Sequence, residues 1–199
     1  MTKKRWGLMV FAVVLVLFAF VAQKQGWLKP FNSKVLMRTQ PGSYTVKQFL
    51  DGDTVLVDMN GTEEKIRFIG IDTPETHKEN TPVQCYGPAA ATYTKNRIGS
   101  QRIRLVSDSL TTNRDRYDRL LRYVYLEDGV NLNLELVQKG YAFAYAFPFA
   151  KSQEFNAAME KAQADKSGLW GNCAPYQLSS GQWQSRPGAG EEAPSTKPQ

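Results

Sequence analysis

Two short stretches carry acids at a spacing that suits a hard cation, and a later stretch carries arginines that suit a phosphate. Asp51-Gly52-Asp53-Thr54 is a tight acidic turn, and Ile71-Asp72-Thr73-Pro74-Glu75 puts two more carboxylates directly after a strand-like run. Between Asp51 and Glu79 stand eight acids against Lys65, Arg67 and Lys78, and between Lys95 and Leu126 stand eight bases against Asp108, Asp115 and Asp118. Carboxylate oxygens match Ca²⁺ or Mg²⁺, and planar guanidinium forks match phosphate oxygens two at a time. The plain alternative is that these are solvated faces attracting one another, and most of the charges do only that. Position singles out Asp53, Asp72 and Glu75, which lie at the ends of strands that a hairpin would pair. Pro74 lacks an amide hydrogen and stiffens the loop that carries two of them.

Carboxylates on separate loops need a rigid frame. Ser43–Leu50 and Thr54–Met59 read as strands, the second with Val55 and Val57 on one face. Asn60-Gly61 is a type I′ hairpin signal that returns the chain through Lys65–Ile71. Pro88 just inside and Gly99 just beyond bracket a helix over 88–98. Arg102–Ser107 and Leu120–Leu126 read as the fourth and fifth strands. Asn131–Lys139 is a short helix ended by Gly140. A last helix runs from Ser152 to Lys166, with Phe155, Ala158, Met159 and Ala162 on one apolar stripe. The order β-β-β-α-β-β-α-α predicts a small barrel with packed helices, an architecture that closes its own sheet edges.

Charge and hydropathy divide the remainder. The chain of 199 residues has a formal charge of +6, but residues 1–42 hold seven bases and no acid while 43–178 hold sixteen bases and seventeen acids. The basic balance therefore belongs to the N-terminal segment and does not argue for a polyanion partner. Gly7–Ala22 is an uncharged apolar run behind Lys3-Lys4-Arg5. As a helix it reaches about 24 Å, close to the minimum for crossing a bilayer. The expected organisation is a cytoplasmic tip and transmembrane signal-anchor over 1–22, a linker over 23–42, a globular body over 43–178 and a disordered tail over 179–199. The positive-inside rule puts the body outside the cytoplasm, at the cell membrane. The alternative, a cleaved signal peptide and a secreted protein, is disfavoured by bulky Phe20 at the outer position of the cleavage pattern.

At this point the body resembles the staphylococcal nuclease (thermonuclease) family. The resemblance rests on Asp51-Gly52-Asp53-Thr54, Ile66-Arg67-Phe68-Ile69-Gly70-Ile71-Asp72-Thr73-Pro74-Glu75 and Tyr86-Gly87-Pro88-Ala89-Ala90. Further on it rests on Asp115-Arg116-Tyr117-Asp118-Arg119-Leu120, Leu136-Val137-Gln138-Lys139-Gly140-Tyr141-Ala142 and Ser167-Gly168-Leu169-Trp170. It covers about 43–171 with the blocks in order. It implies a five-stranded OB-fold barrel with three helices and Ca²⁺-dependent hydrolysis of DNA and RNA. By the same resemblance Asp53 and Asp72 are carboxylate ligands of the ion, and Thr73 offers its main-chain carbonyl. Glu75 positions or deprotonates the attacking water, Arg67 and Arg119 grip the scissile phosphate, and Tyr117 lies near the bound nucleotide. The family commonly has Gly where Asp118 stands. Asp tolerates positive φ better than most residues, and its carboxylate has Arg119 and Arg122 as candidate partners.

Other residues carry less. His77, the only histidine, follows Glu75 by two and reads as an exposed loop residue rather than a general base. Cys85 and Cys173, outside the cytoplasm, suit a disulfide better than a metal site, which needs more ligands. Tyr141, Phe143, Tyr145, Phe147 and Phe149 alternate with small residues and suit core and barrel-edge packing, with Tyr145 the candidate for base stacking. The expected partners are DNA and RNA substrate, single-stranded or unpaired, and the membrane through residues 7–22; no obligate protein partner is expected. The competing function is a non-catalytic OB module that binds single-stranded nucleic acid or a protein at the cell surface.

Overall fold

A computed structural model describes residues 42–76 and 82–188. The expected anchor over 7–22, the linker up to residue 41 and His77 lie outside the described residues. Among those described, no helix is long and apolar enough to cross a membrane.

The barrel is built from β1 (Ser43–Asp51), β2 (Thr54–Met59), β3 (Thr62–Phe68), β5 (Ile103–Val106) and β6 (Leu120–Tyr125). Its closed order is β1-β2-β3-β6-β5, with β5 returning to β1 through Ser43↔Arg104 and Tyr44↔Ile103. Closure leaves none of the five with an open edge. The Asn60-Gly61 turn joins β2 to β3 with both residues at positive φ, as a type I′ hairpin requires. One pairing is not antiparallel: β3 runs parallel to β6, matching Ile66 to Leu120 and Arg67 to Leu121. Val55, Val57, Ile66, Phe68, Ile103 and Val124 fill the interior, and Phe155, from a helix later in the chain, joins the same core.

Among the described residues, four helices pack around it: α1 (Gly87–Ile98), α2 (Leu132–Gln138), α3 (Ser152–Ala164) and the single turn α4 (Leu169–Asn172). Pro88 sits in the first turn of α1, and Asn131 caps α2 by accepting from the Leu134 N–H at 3.4 Å. The α3 stripe is as expected, but the helix stops at Ala164 rather than Lys166, because Lys166 takes positive φ (52°). Ser152 lies inside the helix and does not cap it; the N-cap is Lys151.

Two further differences from the sequence expectation bear on the site. The third strand does not run through to Ile71. The chain breaks at Gly70, which takes φ +77° with its α-carbon against the Phe149 ring. Ile71–Asp72 then forms a separate short strand, β4, paired with β7 (Phe143–Ala144) outside the barrel. The chain also stays ordered beyond 178. Instead of a disordered tail from 179, β8 (Tyr176–Gln177) and β9 (Trp183–Gln184) form a hairpin, and Pro187 bridges to Gln84. Its polar composition hides the anchors: Trp183 packs edge-on against Trp170, which packs edge-on against Phe143, and Ser185 is buried. Residues 189–199 lie outside the described part.

A disulfide joins Cys85, just before α1, to Cys173, just after α4, with the Cα atoms 5.9 Å apart. It closes a span of 88 residues. Replacing both cysteines with serine is expected to cost about 4–5 kcal/mol, the loop-closure entropy returned to the unfolded chain. A lowered urea midpoint with an intact folded baseline checks it.

Candidate active site

Asp53 is the more enclosed of the two expected carboxylate ligands. It follows Gly52 in the β1–β2 turn, where a side chain at 52 would collide with Thr73 at 2.9–3.0 Å. Glycine there lets the 72–76 loop lie directly on the turn. α1 fastens the same turn from behind, as Thr94 Oγ1 donates to the Gly52 carbonyl at 2.6 Å. Asp53 is 6 % exposed. Its Oδ1 accepts from Thr54 Oγ1 at 2.9 Å, and its Oδ2 accepts from the Thr73 N–H (2.9 Å) and Thr73 Oγ1 (3.0 Å). These donors offset the cost of burying a carboxylate.

Arg67 supplies the charge. Its Nη1 lies 2.8 Å from Asp53 Oδ2 and its Nη2 lies 2.7 Å from Asp72 Oδ1, so one guanidinium spans both acids. Burial works to lower the pKa of Arg67, but the Asp53 and Asp72 carboxylates outweigh it and hold the guanidinium above its ordinary value. The Glu75 carboxylate adds to that field. Asp53, Asp72, Glu75 and Arg67 are thus brought together, with Tyr145 alongside. Tyr145 is part-exposed, its ring 5.1 Å from that of Phe147, while Phe143 and Phe149 are core residues. Glu75 is fixed through its backbone: its N–H donates to Gln84 Oε1 and its carbonyl accepts from the Gln84 N–H, both at 2.9 Å.

Sequence reasoning missed Asp51 and Gln84. Burial, then the nearby Asp53 and Glu75 charges, push the Asp51 carboxyl up to about 6, against hydrogen bonds from the Gly52 N–H and Thr76 Oγ1. Its place in the Asp51-Gly52-Asp53 turn was the available signal. Gln84 has no local signal, since its partner lies nine residues away across the loop.

Arg119 stands just before the neighbouring strand, β6. The first residues of β6, Leu120 and Leu121, pair with Ile66 and Arg67 of β3. The Arg119 side chain is held by Asp115, whose Oδ2 accepts from its Nε at 2.7 Å and pairs with its Nη2 at 2.7 Å. Burial alone would raise the Asp115 pKa, but the Arg119 side chain and the Arg119 and Tyr117 N–H groups hold it low. Tyr117 is 64 % exposed, with its ring centroid 5.4 Å from the Arg119 guanidinium carbon. Asp118 takes φ +62°. Its carboxylate turns away from Arg119 and Arg122 to Arg114, at 3.5 Å, so neither named candidate is its partner.

Among the described residues, no three Asp, Glu, His or Cys side chains converge tightly enough to hold an ion unaided. Asp53 and Asp72 nevertheless approach a single cationic group, and their donors are hard oxygens. That chemistry fits Ca²⁺ or Mg²⁺, with further oxygens needed from outside the protein to fill the shell.

Comparison with known proteins shows the family. Residues 65–172 match the family model described as Staphylococcal nuclease homologue. The thermonuclease of Staphylococcus intermedius is 37 % identical over 166 residues, which cover 83 % of this chain and 94 % of the relative. The chain belongs to the staphylococcal nuclease family. The thermonuclease of Staphylococcus hyicus is 38 % identical over 167 residues, with 83 % and 95 % covered. Endonuclease YncB of Bacillus subtilis is 36 % identical over 151 residues, with 74 % and 68 % covered. Within the staphylococcal nuclease family match fall Arg67, Asp72, Thr73, Glu75, Tyr117, Arg119 and Tyr145, whereas Asp53 and the 176–188 hairpin lie outside its bounds.

Proposed function

We propose that the chain is a calcium-dependent, sugar-nonspecific nuclease that hydrolyses DNA and RNA phosphodiesters outside the cytoplasm. The observation that carries this reading is Arg67 bridging Asp53 and Asp72, with Arg119 just before the strand that pairs with Arg67's own, in a chain similar to thermonucleases over most of its length. Residues 7–22 support a membrane tether, with the barrel on the outer side.

A phosphodiester resists attack because its own charge repels a nucleophile. Asp53, Asp72 and the Thr73 carbonyl would hold a calcium ion, which supplies positive charge to the phosphate oxygens when bound. Arg67 on β3 and Arg119 just before β6 grip the phosphate. Their forks bind the five-coordinate phosphorus, with its greater charge, more tightly than the ground state, and that difference lowers the barrier. Glu75 orients a water molecule and accepts its proton at a carboxylate oxygen as the new oxygen–phosphorus bond forms and the opposite one breaks. Gln84 holds the Glu75 backbone from both sides, and Tyr117 and Tyr145 flank the path of the nucleotide.

The test is incubation of the full chain in detergent with single-stranded DNA or RNA, in calcium or in chelator. Cleavage of both polymers that stops on chelation is the expected result. Binding that ignores chelator and leaves both intact overturns the proposal in favour of a non-catalytic OB module.

A further inference from the structure

The hairpin beyond the family match reaches the site. From the turn between β8 and β9, the half-buried Gln182 spans two elements. Its Oε1 accepts from the Ala146 N–H at 3.0 Å, and its Nε2 donates to Asp72 Oδ2 at 3.3 Å. The two partners fix the orientation of the amide, because a backbone N–H needs the oxygen and a carboxylate needs the nitrogen. Asp72 is therefore held at both oxygens, Oδ1 by Arg67 and Oδ2 by Gln182. Both donors are remote or buried, and β4 is only two residues long, so the backbone alone fixes the Asp72 side chain weakly.

The hairpin is itself anchored. Trp183 packs on Trp170, the Cys85 N–H donates to the Arg186 carbonyl at 2.9 Å, and Ser185 Oγ donates to the Cys85 carbonyl at 2.9 Å. Pro187 bridges Gln84, the residue that grips Glu75. One strap, 182–187, thus touches the supports of both acids of the Asp72–Glu75 loop.

We propose that Gln182 is a positioning residue of the active site, orienting the Asp72 carboxylate for the ion and the substrate. Partners that orient a ligand in this way are worth about 10–100-fold in metal affinity or activity, and the length of the Asp72 contact sets the expectation at about tenfold. The inference rests on the reading of Asp53 and Asp72 as the ion's ligands.

Two full-length variants separate positioning from simple docking of the hairpin. Gln182→Met matches the length but neither donates nor accepts. Gln182→Glu keeps an acceptor for the Ala146 N–H and loses the donor to Asp72. Both are expected to lower kcat on single-stranded DNA about tenfold with little change in KM. Gln182→Met is also expected to need about tenfold more calcium for the same rise in melting temperature. A Gln182→Glu enzyme with wild-type kcat, or a Gln182→Met chain with the wild-type calcium response, overturns the proposal and leaves docking as the role. A wild-type chain whose melting temperature ignores calcium overturns the ligand reading, and this inference with it.

Discussion

Arg119→Ala is expected to lower turnover on single-stranded DNA by about two to three orders of magnitude while the barrel stays folded, the loss typical of removing one donor to developing charge. The fold survives because Asp115 still accepts from the Tyr117 and Arg119 N–H groups and so keeps the 115–119 turn closed. What disappears is a partly exposed ion pair of the kind worth about 0–1 kcal/mol. Lysine at 119 does not restore the rate, because an ammonium cannot make a planar two-point contact. Steady-state kinetics beside a thermal melt checks both halves, and an Arg119→Ala enzyme with undiminished turnover removes that residue from the chemistry.

Arg67→Ala should have the other large effect, and it divides between stability and rate. The guanidinium is 12 % exposed and the Asp53 side chain 8 %, so truncation strands a buried carboxylate. Breaking such a pair costs about 3–5 kcal/mol. The two threonine donors and the Thr73 N–H remain on Asp53 and place the expectation near the lower end. In chelator, urea unfolding should show this loss. In calcium, Arg67→Ala should recover more stability than the wild type gains, because the ion then meets two carboxylates without a resident cation between them. Turnover should stay low in either condition. Arg67→Lys separates the two roles, retaining much of the stability through its charge but little of the rate. Wild-type stability of Arg67→Ala in chelator would show that the bridge contributes nothing to the fold.

The barrel was legible because its signals are local. Alternation in β2, the Asn60-Gly61 turn, and the Pro88 and Gly99 brackets act within a few residues of themselves, and each appears where expected. The acidic motifs were legible for the same reason, since Asp53 and Asp72 sit next to turns that their own neighbours create. The break at Gly70 was harder to see: an apolar run through Ile71 reads as one strand unless β7 is known to be waiting for Ile71–Asp72. The C-terminal hairpin was illegible, because two-residue strands in polar sequence have no periodicity to read, and Trp183 gains its partner only once α4 has docked.

What the amino-acid order determined by itself, then, is the family, the barrel and the kind of residues available for chemistry: hard oxygens in two loops, one guanidinium on a strand and another just before one. Those properties follow from residue type and short-range geometry. Tertiary structure alone decided the pairings: Arg67 across both aspartates, Arg119 on Asp115, Asp118 on Arg114, Gln84 on Glu75 and Gln182 on Asp72. The last spans 110 residues. Each side chain has several candidates of opposite charge or matching polarity in the sequence, and the choice falls to whichever the packed backbone carries within about 3 Å, the range over which a hydrogen bond has any strength.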